Sequence, residues 1–206
     1  MKTRLGLLAV ALVFSACPVD PPPGDQNMGT WSMTVDFVER SANCQLSELP
    51  AITDAGRPDP FNFEMVLTRD STSDVAWMTL SGLSRQGTYD GQYFSNVADA
   101  SRVFVECTKC QTRLVERIDF AVLSRSQADA LGGTCPANPL DFGVVPTPNA
   151  DSGIQLPHQT PLGFDAVRLC GEMSNEVVSD GVLDGGACPA ECNGCFISYT
   201  VRGERR

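Results

Sequence analysis

Gly29-Thr30-Trp31-Ser32-Met33-Thr34-Val35-Asp36-Phe37 decides the fold. Trp31, Met33, Val35 and Phe37 fall on one side of an extended chain, and Thr30, Ser32, Thr34 and Asp36 fall on the other. A side-chain period of two is the mark of a half-buried β-strand, since successive Cβ atoms point to opposite faces of a sheet. Phe61-Asn62-Phe63-Glu64-Met65-Val66-Leu67 repeats it, with Phe61, Phe63, Met65 and Leu67 inward.

Working outward, further strands are expected at Val75–Leu80, Thr88–Phe94, Arg102–Cys107, Gln111–Leu123, Phe164–Cys170 and Cys195–Arg202. Tyr89, Gly91 and Tyr93 share one side of the Thr88–Phe94 candidate. Short strands separated by turn-rich connections imply an all-β class, a mainly antiparallel sandwich or an up-and-down barrel. One short helix is expected at Ser126–Leu131, with Ser126 as its cap and Gly132-Gly133 ending it. Pro136 to Pro161 carries six prolines among Asn, Asp and Gly, and reads as a long irregular loop.

The N-terminus reads differently. Met1-Lys2-Thr3-Arg4 is basic, and Leu5–Phe14 is an apolar run of ten residues. That is half of the roughly 20 needed to span a bilayer, and is the pattern of a secretory signal. Ordinary signal peptidase requires small residues at −1 and −3, and a cut after Ala16 puts Phe14 at −3. Phe14-Ser15-Ala16-Cys17 resembles the bacterial lipobox, with Phe14 where that family prefers Leu. The resemblance implies residues 1–16 as a cleaved signal and Cys17 as the acylated first residue of an exported lipoprotein. The outer membrane is expected ahead of the inner, and the sequence leaves the membrane and its face open. Residues 17–28, with Pro18, Pro21, Pro22 and Pro23, then form an extended tether, standing the rest about 30 Å off the membrane at ~3 Å per residue. Residues 29–206 are expected to be a single β-rich domain.

The chain has nine cysteines. With Cys17 assigned to lipid, Cys44, Cys107, Cys110, Cys135, Cys170, Cys188, Cys192 and Cys195 remain, an even set suited to a disulfide framework in an exported protein. The pairing is not determined by sequence. Cys107-Thr108-Lys109-Cys110 and Cys192-Asn193-Gly194-Cys195 are also spaced as halves of a tetrathiolate zinc site. Export and the four further cysteines favour disulfides, and no metal or cofactor is expected. A thioredoxin-like role needs a helix after the motif, whereas Gln111–Phe120 reads as strand.

The net charge is −10, and becomes about −12 once Lys2 and Arg4 leave with the signal. This argues against nucleic acid as a partner, because binding there is dominated by phosphate neutralisation. His158 is the single histidine and lies in the proline-rich loop without a nucleophile motif, so it is expected to be solvated. Ser179–Gly186 loosely echoes a calcium loop but lacks the ligand spacing, and reads as a turn. Nothing in the sequence selects two of the 25 acids as a catalytic pair.

Gly29-Thr30-Trp31 resembles the G-x-W at the first strand of lipocalins, whose eight-stranded barrels hold apolar ligands. By that resemblance Trp31 sits at the closed end of a barrel as structure. The expected role is non-enzymatic, binding or structural in the cell envelope, with a small apolar molecule or an envelope protein as partner while acyl chains on Cys17 hold the membrane. An envelope hydrolase or metal-dependent enzyme is the alternative. A cavity lined by Met33, Phe63, Trp77 and Tyr89 would mark the binding reading, and a cleft of carboxylates the enzymatic one.

Overall fold

The computed structural model describes residues 21–46, 61–132, 134–135, 165–183 and 187–206. Cys17, His158 and the proline-rich loop lie outside them. Eight antiparallel strands, each paired to its sequence neighbours, close into an up-and-down barrel. They are β1 Gln26–Arg40, β2 Phe61–Arg69, β3 Val75–Leu80, β4 Leu83–Tyr89, β5 Tyr93–Ser101, β6 Cys110–Ser124, β7 Ala166–Val182 and β8 Cys195–Arg205. Of the two all-β architectures expected, the barrel is the one formed.

β1 and β2 behave as their alternation dictates. Trp31, Met33, Val35, Met65 and Leu67 point into the barrel with at most 1% exposure. β1 begins at Gln26, earlier than the Gly29 expected. Met28 is buried, Asp25 N–H donates to Arg69 O at 3.1 Å, and Thr68 Oγ1 donates to Pro23 O at 2.5 Å. The stretch from Pro23 is therefore bound to the barrel wall, not part of a free tether.

Two expected strands are corrected. Thr88–Phe94 is not one strand but the hairpin joining β4 to β5. Asp90 Oδ1 accepts the N–H groups of Gln92 and Tyr93 at 2.9 and 2.7 Å, and Gly91 has φ 104°, the side-chain-to-backbone turn that Asp-Gly favours. Arg102–Cys107 is not a strand either: β5 ends at Ser101, and Val105–Cys107 forms a single 3₁₀ turn. The helix α1 spans Arg125–Ala130, and its cap is Ser124, not Ser126. Ser124 Oγ accepts from Gln127 N–H while Gln127 Oε1 accepts from Ser124 N–H, a reciprocal capping box.

The registers give the barrel two unlike ends. Gln26, Arg69, Tyr89, Tyr93, Ser124, Ala166 and Arg205 mark the end at which the chain enters. This end is packed solid. Phe94 and Phe120 stack with centroids 4.8 Å apart, with Trp31, Leu67, Tyr89, Val122 and Leu169 in the same core. Tyr89 donates its hydroxyl to Gly91 O at 2.7 Å, and burial pushes its pKa up to about 12. Trp31 lies within this end, fully buried and paired with Met65 and Arg205.

The opposite end carries three of the four disulfides, Cys44–Cys195, Cys107–Cys192 and Cys110–Cys188. They tie the chain after β1, the 3₁₀ turn before β6 and the segment between β7 and β8 together, and with Leu46 and Phe104 these join the barrel core. Cys135–Cys170 joins the chain after α1 to β7 at the entry end. The two CxxC motifs thus share one bridge, Cys107–Cys192, and send Cys110 and Cys195 elsewhere. All four sulfurs of the two CxxC motifs are in disulfides, so the expected disulfide framework is the one formed.

Candidate functional site

At the disulfide end the barrel interior is not filled. A cavity of about 370 Å³ opens there, within the range of small-molecule sites. The inward alternation of each strand builds it. Phe61 and Phe63 come from β2, Met78 and Leu80 from β3, Ile118 from β6 and Met173 from β7. Phe61 stacks on Phe63 at 6.2 Å and meets Tyr199 edge-on at 6.0 Å, forming an aromatic wall. Burial raises the pKa of Tyr199, with nearby Arg40 pulling the other way.

Five polar residues interrupt this lining: Arg85, Asn96, Glu116, Arg117 and Asn175. All but Arg117 sit at inward register positions. Asn96 faces Ile118 across β5 and β6, and Asn175 faces Glu116 across β7 and β6. Arg85 Nη1 meets Glu116 Oε2 at 3.0 Å. That ion pair runs from β4 to β6, past Ala98 of β5, which is Glu116's register partner. Asn96 is 4% exposed, and its Nδ2 donates to Gln86 O at 2.5 Å.

The wall beside these groups is itself incomplete. β4 and β5 share only the pairs Thr88–Ser95 and Tyr89–Phe94. Beyond them the Asn96 side chain replaces the backbone ladder, and Leu83–Arg85 and Val97–Ser101 run on without pairing to each other. On this side the cavity wall is therefore held by side chains in place of a ladder. Leu83 stands at its margin, 75% exposed.

Of the four lining residues expected from the sequence, Phe63 lines the cavity. Met33 and Tyr89 point inward but belong to the packed core. Trp77 is on the outer wall. Met78 is paired with inward Leu67, so its neighbour Trp77 must face out, where its ring lies beside Gly24. Asp180, from the calcium-like stretch, hydrogen-bonds to Arg113 Nε at 2.6 Å, which holds its carboxyl below the usual range. Ser179–Val182 is the end of β7, not a turn, and 184–186 lie outside the described residues.

One carboxylate pair is brought together that the sequence did not single out. Asp119 and Glu172 are register partners on the outer wall of β6 and β7. Partial burial raises both pKa values first, Asp119 raises that of Glu172 further, and Arg117 lowers both. A raised carboxyl pKa means that the folded protein holds a proton the unfolded chain has released. The pair therefore favours folding in acid, and this contribution is lost as pH rises from about 4 through the folded values. Asp119→Asn should raise stability at pH 7 by about 0.5 kcal/mol, the scale of a like-charge cross-strand pair, and leave it unchanged at pH 3. Thermal melts at the two pH values check this, and an equal gain at both would remove the charge from the explanation.

No family model, curated protein or solved structure matches this chain.

Proposed function

We propose that this protein is an exported lipoprotein, acylated at Cys17, whose barrel is a non-enzymatic binding module for a small, largely apolar molecule in the cell envelope. The observation that carries the reading is the cavity: a mostly apolar, aromatic-walled space in an otherwise close-packed barrel, with a few convergent polar groups.

The direction of the chain supports it. Residues from Pro23 are bound at the entry end, and the cavity lies toward the other. An anchor on Cys17 would hold the packed end toward the membrane and leave the cavity on the far side. Only residues 17–22 would then act as tether, a reach of about 20 Å at ~3 Å per residue. One acyl chain binds marginally, and the two or three of a bacterial lipoprotein make attachment stable.

Two measurements on the full chain test the reading. Labelled palmitate should be incorporated by the wild type and not by Cys17→Ser, with persistent labelling refuting the anchor. Native mass spectrometry of the chain extracted in mild detergent should show a small organic mass beyond the acylated polypeptide. A mass accounted for by polypeptide and acyl groups alone would count against the binding role.

A further inference from the structure

We infer that the cavity is shaped for an uncharged ligand whose apolar body carries a hydrogen-bond donor, a hydroxyl or amide N–H, delivered to Asn96 Oδ1. This rests on reading the cavity as a binding site and names the chemistry it would select.

Asn96 carries the inference because its orientation is fixed. Its Nδ2 donates to the Gln86 carbonyl, a group that can only accept, so the amide cannot be turned over without placing two oxygens together. The oxygen that remains, Oδ1, is buried and has no hydrogen-bond partner. Buried polar atoms are nearly always paired, and one left unmet costs its full desolvation. Asn175 Oδ1, on β7 at the same cavity, is also buried and unpartnered, but its amide can be turned over to present either atom. The fixed vacancy, at Asn96, is an acceptor, so the complementary group is a donor.

An ionic ligand group finds no open partner in the lining. Arg85 and Glu116 already neutralise each other at 3.0 Å, and Arg117, at an outward register position on β6, acts on the carboxylates Asp119 and Glu172. The remaining seven lining residues, Phe61, Phe63, Met78 and Met173 among them, are apolar. The selected molecule is thus neutral, apolar over most of its length, and polar at a donor-bearing head that lies beside β5.

The lining supplies its own reporters. Met78 and Met173 face the cavity, whereas Met28, Met33 and Met65 are buried in the core away from it. The full chain in detergent, with ¹³C-methyl methionine, is titrated with 4-propylphenol and with 4-propylanisole, which keeps the oxygen but lacks its hydrogen. The expected result is saturable shifts of Met78 and Met173, with the phenol bound at least tenfold tighter, about 1.4 kcal/mol. Asn96→Leu should abolish the preference while still binding the anisole. The wild-type comparison decides even if that variant does not fold. Equal affinities for the two probes would overturn the donor inference and leave the binding site standing. No saturable shift at Met78 or Met173 with either would overturn both.

Discussion

Folding the protein with its cysteines kept reduced is expected to yield no stable barrel at 37 °C. The reason is the span of the bridges. Cys44–Cys195, Cys107–Cys192 and Cys110–Cys188 link residues 151, 85 and 78 positions apart, and Cys135–Cys170 links residues 35 apart. The chain-entropy model assigns closures of these lengths about 4–5 kcal/mol each. All four loops are nested, so their effects do not add in full. A combined contribution on the order of 10 kcal/mol is still comparable with the whole stability of a typical domain, about 5–15 kcal/mol. The segments tied at the disulfide end, the chain after β1 and the residues before β6 and β8, make few ladder bonds of their own.

Reductant must be present during refolding, because Cys107, Cys170, Cys192 and Cys195 are fully buried in the folded state. Removing one bridge by the paired change Cys107→Ala and Cys192→Ala should lower Tm by about 10 °C, from ~2–4 kcal/mol at 2–4 °C per kcal/mol. Circular dichroism and thermal melts read both effects. A reduced, refolded protein with an unchanged melt would show that the barrel needs no staples.

What was legible in the sequence follows the packing of the barrel. β1 and β2 alternate cleanly because one face of each meets a core and the other meets water. β4 does not. Its inward positions are Leu83, Arg85, Gly87 and Tyr89, set by the pairs Met78–Arg85 and Leu80–Leu83, and a charge and a glycine break the apolar period. β5 turns Phe94, Asn96, Ala98 and Ala100 inward, again polar or small where a core strand is expected to be bulky. Both strands were misread for one physical reason: they line the cavity, where the interior is not filled. Trp77 was misassigned because β3 is apolar on both faces, with Val75 and Trp77 outward and Ala76, Met78 and Leu80 inward. Cysteine number was legible and pairing was not, since the partner of each cysteine is chosen by barrel register among residues far apart in the chain.

Gly171→Ala is expected to cost at least about 3 kcal/mol, the upper part of the overpacking range, although it adds one methyl group in the middle of a strand. Gly171 pairs with Phe120, and a Cβ built on it would stand 2.0 Å from Asp119 O and 2.5 Å from Phe120 Cα. Both are backbone atoms of β6, which is held by ladders on its two sides, so neither can retreat without opening the wall. The cause of the tight approach is the aromatic stack. Phe120 lies on Phe94, whose ring would in turn be 2.9 Å from a Cβ at Gly87. Two large rings are fitted into the packed end because β4 and β7 present no side chain against them. Trimming the stack with Phe120→Leu should therefore fail to rescue Gly171→Ala, since the collision is with main chain. Gly203→Ala provides the contrast: its nearest obstacle is Met33 Sδ at 2.6 Å, a flexible thioether that can move. Its cost should be about 1 kcal/mol, at the low end of the same range. Denaturant melts of the three variants test the order, and a Gly171→Ala protein as stable as Gly203→Ala would mean that β6 and β7 can part more easily than their paired ladders imply.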